Sequence, residues 1–331
     1  MGHRRKLVYQ AGRLRDALSG EVVKIWNVRM ERFIPADYRV ELETAEGEQA
    51  IFEDEEGVWW ERDGGREALT RSSVRLPAFA GPNAPLLRVL HGELLVNVLP
   101  WGPVPNLWVY SRPWYRDAAI MALCFERTNN LDLLAPWIEG LATPYDQNNR
   151  GESEPDNLGQ VLMLVSFASG RNHSLVDPVL QEIGRIRQGS CLAGRTDGAE
   201  HPVYQTKWLK YGLQRLRLDD PFQIPAVPDR YSALFWMDFR DQHVPQPRFD
   251  AGALKRYPYL NWAEAHFYNE PPPENVSAED FPLTRECEAS EADYAWMDLV
   301  SSDWAAARWS SPHGWHAAEM FLYYHDLSFE S

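Results

Sequence analysis

Apolar residues change their spacing along this chain. Between Glu21 and Asp63 they alternate with polar ones, and beyond Trp114 nearly every apolar run recurs at a helical period. The alternating part predicts strands at Val22–Val28, Tyr38–Leu42, Gln49–Glu53 and Val58–Arg62, separated by the turn signals Glu46-Gly47 and Glu56-Gly57. A sheet of such short strands needs a partner to bury one face, so it is expected to pack on the segments C-terminal to it. Ahead of it, Leu7–Leu18 reads as a short amphipathic helix. Asn83-Ala84-Pro85 opens a further helix at Leu86–Leu95, and Pro100–Pro105 is a rigid connector.

The connector leads to Ser111–Phe125, SRPWYRDAAIMALCF. Pro113 suits a first helical turn, where a missing N–H costs little. From Trp114 apolar residues fall on all faces, which marks a helix buried on all sides. Arg116 and Asp117 in its first turn must then be paired or used, because buried charge is not tolerated alone. Further helical runs follow at Leu131–Leu141, Asp156–Ser169, Leu175–Gln188, Tyr204–Arg217, Tyr231–Arg240, Tyr259–Tyr268, Ala289–Trp304 and Trp315–Tyr324. Short loops between them suit antiparallel neighbours. The helix starts are unequal. SRPWYRD, GESEPDNLGQ, HPVYQTKWLKYG, YPYLNWAEAHFY and SSPHGWHAAE are polar-aromatic clusters, whereas LDLLAPWIEG is bland. If alternate helices form an inner ring, the clustered starts converge at one end of it.

Composition narrows the partners. The 331 residues carry a formal net charge of −15, which disfavours a nucleic-acid partner, since phosphates call for a basic surface. The 14 Trp, 14 Tyr and 13 Phe supply core and also flat platforms for ligands. Cys124, Cys191 and Cys287 are far apart and form no CxxC pair, so no disulfide framework and no cysteine zinc site is expected. They fit a reducing, cytoplasmic setting. No apolar run approaches the ~20 residues of a membrane span, and the opening MGHRRKLVYQAGRLRDALSG has no apolar signal core.

At the clustered helix starts the chain resembles the six-hairpin glycosidases, the (α/α)6-toroid glycoside hydrolases. The resemblance rests on the aromatic-Arg-Asp step of Trp114–Asp117, the acidic loop before Asp156, and the Trp/His/Glu cluster at Trp315–Glu319. It covers about Ala84 to Tyr324. It implies a mainly α fold, an (α/α)6-type toroid with a small N-terminal antiparallel β region. Nine or ten helices can be counted rather than twelve, so the ring is complete only with further members such as Leu86–Leu95. The expected organisation is 1–20 as an N-terminal helical extension, 21–83 as the β region and 84–331 as the catalytic toroid. The implied activity is hydrolysis of a glycosidic bond by inversion, with two carboxylates, a carbohydrate substrate and no cofactor or metal.

Glycoside hydrolysis needs one protonated carboxyl and one ionised carboxylate. Asp117, in a first helical turn, is favoured as an anion and suits the ionised role; N-terminal capping with an ion pair is the competing reading. Glu154 sits among Glu152 and Asp156, acids that oppose its ionisation, and suits the proton donor. Glu286 is the alternative donor, with Glu264 and Glu319 behind it. Ser153 and Asp156 have capping-box spacing, a structural reading for Asp156 beside a substrate-binding one. Trp114, Trp208, Trp262 and Trp315 are stacking platforms or core. Arg116, His266, His313, His316 and Glu319 are candidates for binding the sugar, and Lys207, beside Trp208, could face an anionic one. His313 and His316 lack the HExxH pattern and a third ligand, so hydrogen bonding is expected there rather than metal. Two other readings stay open: a carbohydrate-binding protein without catalysis, and a polysaccharide lyase using Tyr204, Lys207 and His316.

Overall fold

In the computed structural model residues 1–148, 150–229, 231, 248–256, 259–271, 276–285, 301, 303–304, 309 and 311–330 are described. The chain divides into two compact units. Unit 1 comprises Met1–Arg112, Thr128–Asn130 and Glu274–Ser331, and unit 2 comprises Pro113–Arg127 and Leu131–Pro273. This division differs from the expected 1–20, 21–83 and 84–331.

Unit 1 begins with strands. β1 (Leu7–Gln10), β2 (Arg13–Asp16) and β3 (Val22–Ile25) form one antiparallel sheet. The expected helix at Leu7–Leu18 is therefore a hairpin. Its cause is local: Ala11 and Gly12 both take positive φ, 45° and 76°, the two-residue turn whose twist matches paired strands. A side chain at Gly12 would meet the Trp26 carbonyl at 2.6 Å. The second sheet is a five-stranded meander, β4 (Val28–Ile34), β5 (Arg39–Thr44), β6 (Gly47–Glu53), β7 (Gly57–Arg62) and β8 (Gly65–Arg71). The β7–β8 hairpin turns at Asp63-Gly64, again with two positive φ values.

Alternation puts Leu42, Ile51, Val58 and Trp60 of the meander into one cluster with Leu14 and Trp26. Lys24 lies 3.1 Å from the centroid of the Trp60 ring, a cation held on a π face. Buried Arg4 fastens the edge of this arrangement, donating to the Ser72 carbonyl at 2.6 Å, the Gly57 carbonyl at 3.2 Å and Glu53 at 3.1 Å.

After the sheets come α1 (Ala84–Val96) and the short pair β9 (Val98–Leu99) and β10 (Gly102–Pro103). Buried Asn97 and Asn106 tie this loop to the distant end of the unit, donating to the carbonyls of Pro312 and Ser311. In unit 2, α2 (Tyr115–Arg127) is followed by α3 (Ala135–Glu139), α4 (Asp156–Ser166), α5 (Val176–Ile186), the pair β11 (Arg187–Gln188) and β12 (Cys191–Leu192), and α6 (Pro202–Arg215). Then come α7 (Ala251–Arg256) and α8 (Tyr259–Phe267). The chain returns to unit 1 with α9 (Gly314–Glu330), which packs on α1.

The toroid is thus corrected. Eight strands in two sheets precede α1, and the helices are divided between the two units, α1 and α9 in the sheet-bearing unit and α2–α8 in the other, which is not the mainly α ring that was expected. The sheets are also far more than an appendage. Of the expected helices, Tyr231–Arg240 lies outside the described residues except at Tyr231, and most of Ala289–Trp304 does too.

Two glycines set the α4–α6 contact. A Cβ on Gly159 would lie 2.4 Å from the Leu209 nitrogen and the Trp208 carbonyl carbon, and one on Gly212 would lie 2.6 Å from the Gly159 carbonyl. The backbones touch, and Asp156 and Gln160 of α4 reach Tyr204 of α6 as a result.

Helix α1 carries two buried titratable groups. Burial raises the Glu93 carboxyl to about 7, although Leu283 N–H and the Thr284 N–H and hydroxyl donate to it. Burial lowers His91 to about 3. Glu93 therefore contributes stability that is complete below its ordinary 4.5 and is lost as pH rises through about 7. His91 acts oppositely, its contribution being complete above 6.5 and lost as pH falls toward about 3. Chemical unfolding should show Glu93→Gln removing a decline of roughly 2–3 kcal/mol between about pH 5 and pH 7.5. An unchanged decline in the variant would place that pH dependence elsewhere.

Candidate functional site

The first turns of α2 and α4 and the loop before α6 meet at one guanidinium. Arg116 is buried, and its Nε donates to Asp156 at 3.3 Å. Its Nη1 donates to Asp197 at 2.6 Å and to the Tyr231 hydroxyl, and its Nη2 donates to Glu154. Burial pulls Arg116 down, but Asp156, Tyr204, Asp197 and Glu154 outweigh it and hold the group well above its ordinary value. One fixed cation faces three carboxylates, so the cluster keeps an excess of negative charge.

The three carboxylates are held differently. Asp156 accepts from Thr196 at 2.9 Å, Gln160 at 2.8 Å, Tyr204 at 3.2 Å and Arg116, so it is a saturated anchor. The capping box expected of it is absent: α4 has Pro155 at its N-cap and no side-chain cap, and Asp156 serves the cluster instead. Glu154 accepts from Asn148 at 2.9 Å and from the Asp197 N–H at 2.8 Å as well as from Arg116. Burial raises it against the pull of Arg116. Asp197, in a left-handed turn ahead of Gly198, has a side chain 45% exposed, and the Tyr231 hydroxyl donates to it. This is where solvent reaches the cluster.

A fourth carboxyl lies close. Asp146 accepts the Tyr115 N–H at the start of α2, a position that ordinarily favours the anion. Burial nonetheless pushes it up to about 6, with Asp156 and Glu154 adding to the rise. The rim is aromatic: Tyr231 lies 4.2 Å from the His201 ring and 4.8 Å from the Tyr204 ring, centroid to centroid. Asp229 fixes the start of α6 by accepting the Val203 and Tyr204 N–H groups, both at 3.0 Å. Comparison with protein-family models, curated proteins and solved structures gives no match. With that result and the two-unit architecture, the resemblance to six-hairpin glycosidases is not sustained.

The expected site residues divide. Arg116, Glu154 and Asp156 are brought together. Asp117 is buried in the same turn of α2, about 100° around the helix from Arg116. Trp114 is half-buried just before α2, and Lys207 and Trp208 are fully buried on α6. Trp262 and His266 stack on each other in α8 at 5.6 Å and are buried. Glu264 accepts the Phe249 N–H, a local structural tie. His313, Trp315, His316 and Glu319 belong to unit 1, so the expected set does not share one unit. His313 and His316 stack at 4.5 Å, and burial, then His313, keeps His316 well below its ordinary value. Glu286 lies outside the described residues. Among the described residues no group of three or more His, Cys, Asp or Glu is placed to hold a metal ion.

Asp146 and Asp197 were missed in the sequence because they sit in loops without periodicity, and Tyr231 because it was read only as the start of the Tyr231–Arg240 run.

Proposed function

We propose that unit 2 hydrolyses a glycosidic bond by carboxyl chemistry at the Arg116 cluster. The observation that carries this reading is a set of carboxyls with unlike environments around one guanidinium. Asp146, at about 6, retains a proton in mildly acidic conditions and suits protonation of a leaving oxygen there. Asp197 is reached by solvent and suits activation of water, while Glu154 and Asp156, buried and held by several donors, orient Arg116. The donor role expected of Glu154 passes to Asp146, because Glu154 accepts three donors and Asp146 one.

The excess negative charge favours a neutral or cationic sugar over an acidic one. A lyase acting on uronates needs a cation to face the carboxylate, and Arg116 is already engaged by three carboxylates. No helix among the described residues is long and apolar enough to cross a membrane. A cytoplasmic setting fits the widely separated thiols.

The test is release of reducing ends from neutral oligosaccharides alongside hydrolysis of aryl glycosides. Asp146→Asn should lower turnover of the unactivated substrates by about 10²–10⁴ and spare much of the aryl-glycoside rate, where the leaving group needs little protonation. Saturable binding of an oligosaccharide with no turnover would leave a carbohydrate-binding protein. Full activity of the Asp146→Asn protein would remove Asp146 from the donor role.

A further inference from the structure

Unit 1 contains a cavity of about 380 Å³ that the Arg116 chemistry does not use. It lies among β1, β2, the meander strands and α1. Its walls are mainly apolar, including Leu7, Val40, Ile51, Val89 and Trp108. The volume falls in the range of small-molecule pockets. Two lining residues, Phe33 and Phe281, are also among the large apolar side chains most open to solvent, at 52% and 47%. They mark an apolar entrance.

One lining group does not fit an apolar site. Lys6 is 5% exposed, and its ammonium donates only to main-chain carbonyls, those of Gly2 and Leu95. Among the described residues it makes no salt bridge. The nearby carboxylate, Glu53, is bonded to Arg4 and to the Met1 amine. The other lining cations are engaged as well, Arg5 with Asp16 and Arg39 with Glu41 and Glu61. Glu53 is thus shared among three cations, and burial lowers Lys6 to about 7 against its pull, so the ammonium lacks a counter-charge of its own. An ammonium has three N–H donors, and two carbonyls leave one for a ligand.

We infer that this cavity binds an amphipathic monocarboxylate, its hydrocarbon part on the apolar wall and its carboxylate on Lys6. The apolar lining supplies contact area, and the ammonium supplies orientation and a charge-assisted hydrogen bond. The entrance between Phe33 and Phe281 admits an alkyl or aryl chain.

Octanoate and octan-1-ol, titrated calorimetrically into the full chain, separate charge recognition from apolar filling. Octanoate should bind about tenfold or more tightly than the alcohol. Lys6→Met keeps the aliphatic stem and removes the charge, so it should abolish that preference while the alcohol still binds. Val40→Trp, which fills the cavity from β5, should weaken both ligands. Equal affinity of the two ligands for the wild-type protein would overturn the inference without recourse to a variant. So would absence of octanoate binding, or an unchanged octanoate preference in Lys6→Met.

Discussion

Gly159→Ala should destabilise the protein by about 3 kcal/mol, although the same change in an open helix stabilises by about 1 kcal/mol. The sign is the content of the prediction. Alanine is the better helix former, and propensity alone favours it. Here the added methyl would stand 2.4 Å from the Leu209 nitrogen and the Trp208 carbonyl carbon, atoms of the α6 backbone that cannot rotate aside. The helices must separate, and Asp156 and Gln160 then lose their reach to Tyr204. Gly184 in α5 is the internal control: nothing lies within 4 Å of its added Cβ. Gly184→Ala should stabilise by about 0.5–1 kcal/mol. Urea unfolding midpoints at constant slope decide the matter. Stabilisation by both substitutions would mean that the α4 and α6 backbones do not touch.

Arg116→Met should cost about 3–5 kcal/mol at pH 7 and distinctly less at about pH 5. Methionine keeps much of the aliphatic bulk, so lost packing is a small part of the effect. What remains is Glu154 and Asp156, buried and acidic, without the guanidinium that joined them. Burial already holds Glu154 above its ordinary value against the pull of Arg116, and without the guanidinium it rises further. Stability of the variant is then greatest at low pH and is lost as the carboxyls are forced to ionise. Arg116→Lys should not restore the wild type, because a compact ammonium lacks the planar fork by which the guanidinium reaches Asp156, Asp197 and Glu154 from separate nitrogens. Unfolding free energies at the two pH values provide the check. A deficit of equal size at both would assign the loss to packing instead of charge.

The strands legible in the sequence are short apolar runs bounded by turn signals. Gln49–Glu53 and Val58–Arg62 place Ile51 and Trp60 on the buried face, and they are strands as expected. β4 is exposed along its middle and β8 along its first half, so neither has an alternation to read. The hairpin at Leu7–Asp16 was hidden because Leu7, Leu14 and Leu18 also suit a helical stripe, and the Ala11-Gly12 turn decides between them. The pairing of α1 with α9 depends on contacts across residues 97–313, which no local pattern encodes. Within the site, Arg116 was legible because charge amid apolar residues demands a partner, and Glu154 because it stands in a loop crowded with acids. Their loop partners were not, because a loop brings side chains together by tertiary path alone.

The path of the chain through unit 1 bears on the order in which the protein can form during synthesis. A ribosome releases the two sheets and α1 first, then all of unit 2, and only afterwards α9. Unit 2, nearly continuous in sequence, can assemble as it emerges. Helix α1 must wait without its late partner, with His91 lacking the Phe321 ring that lies against it in the folded protein. Nascent chains arrested before residue 314 should therefore be captured by chaperones and cut by proteases near residues 84–96. Chains arrested beyond residue 330, once clear of the exit tunnel, should escape both.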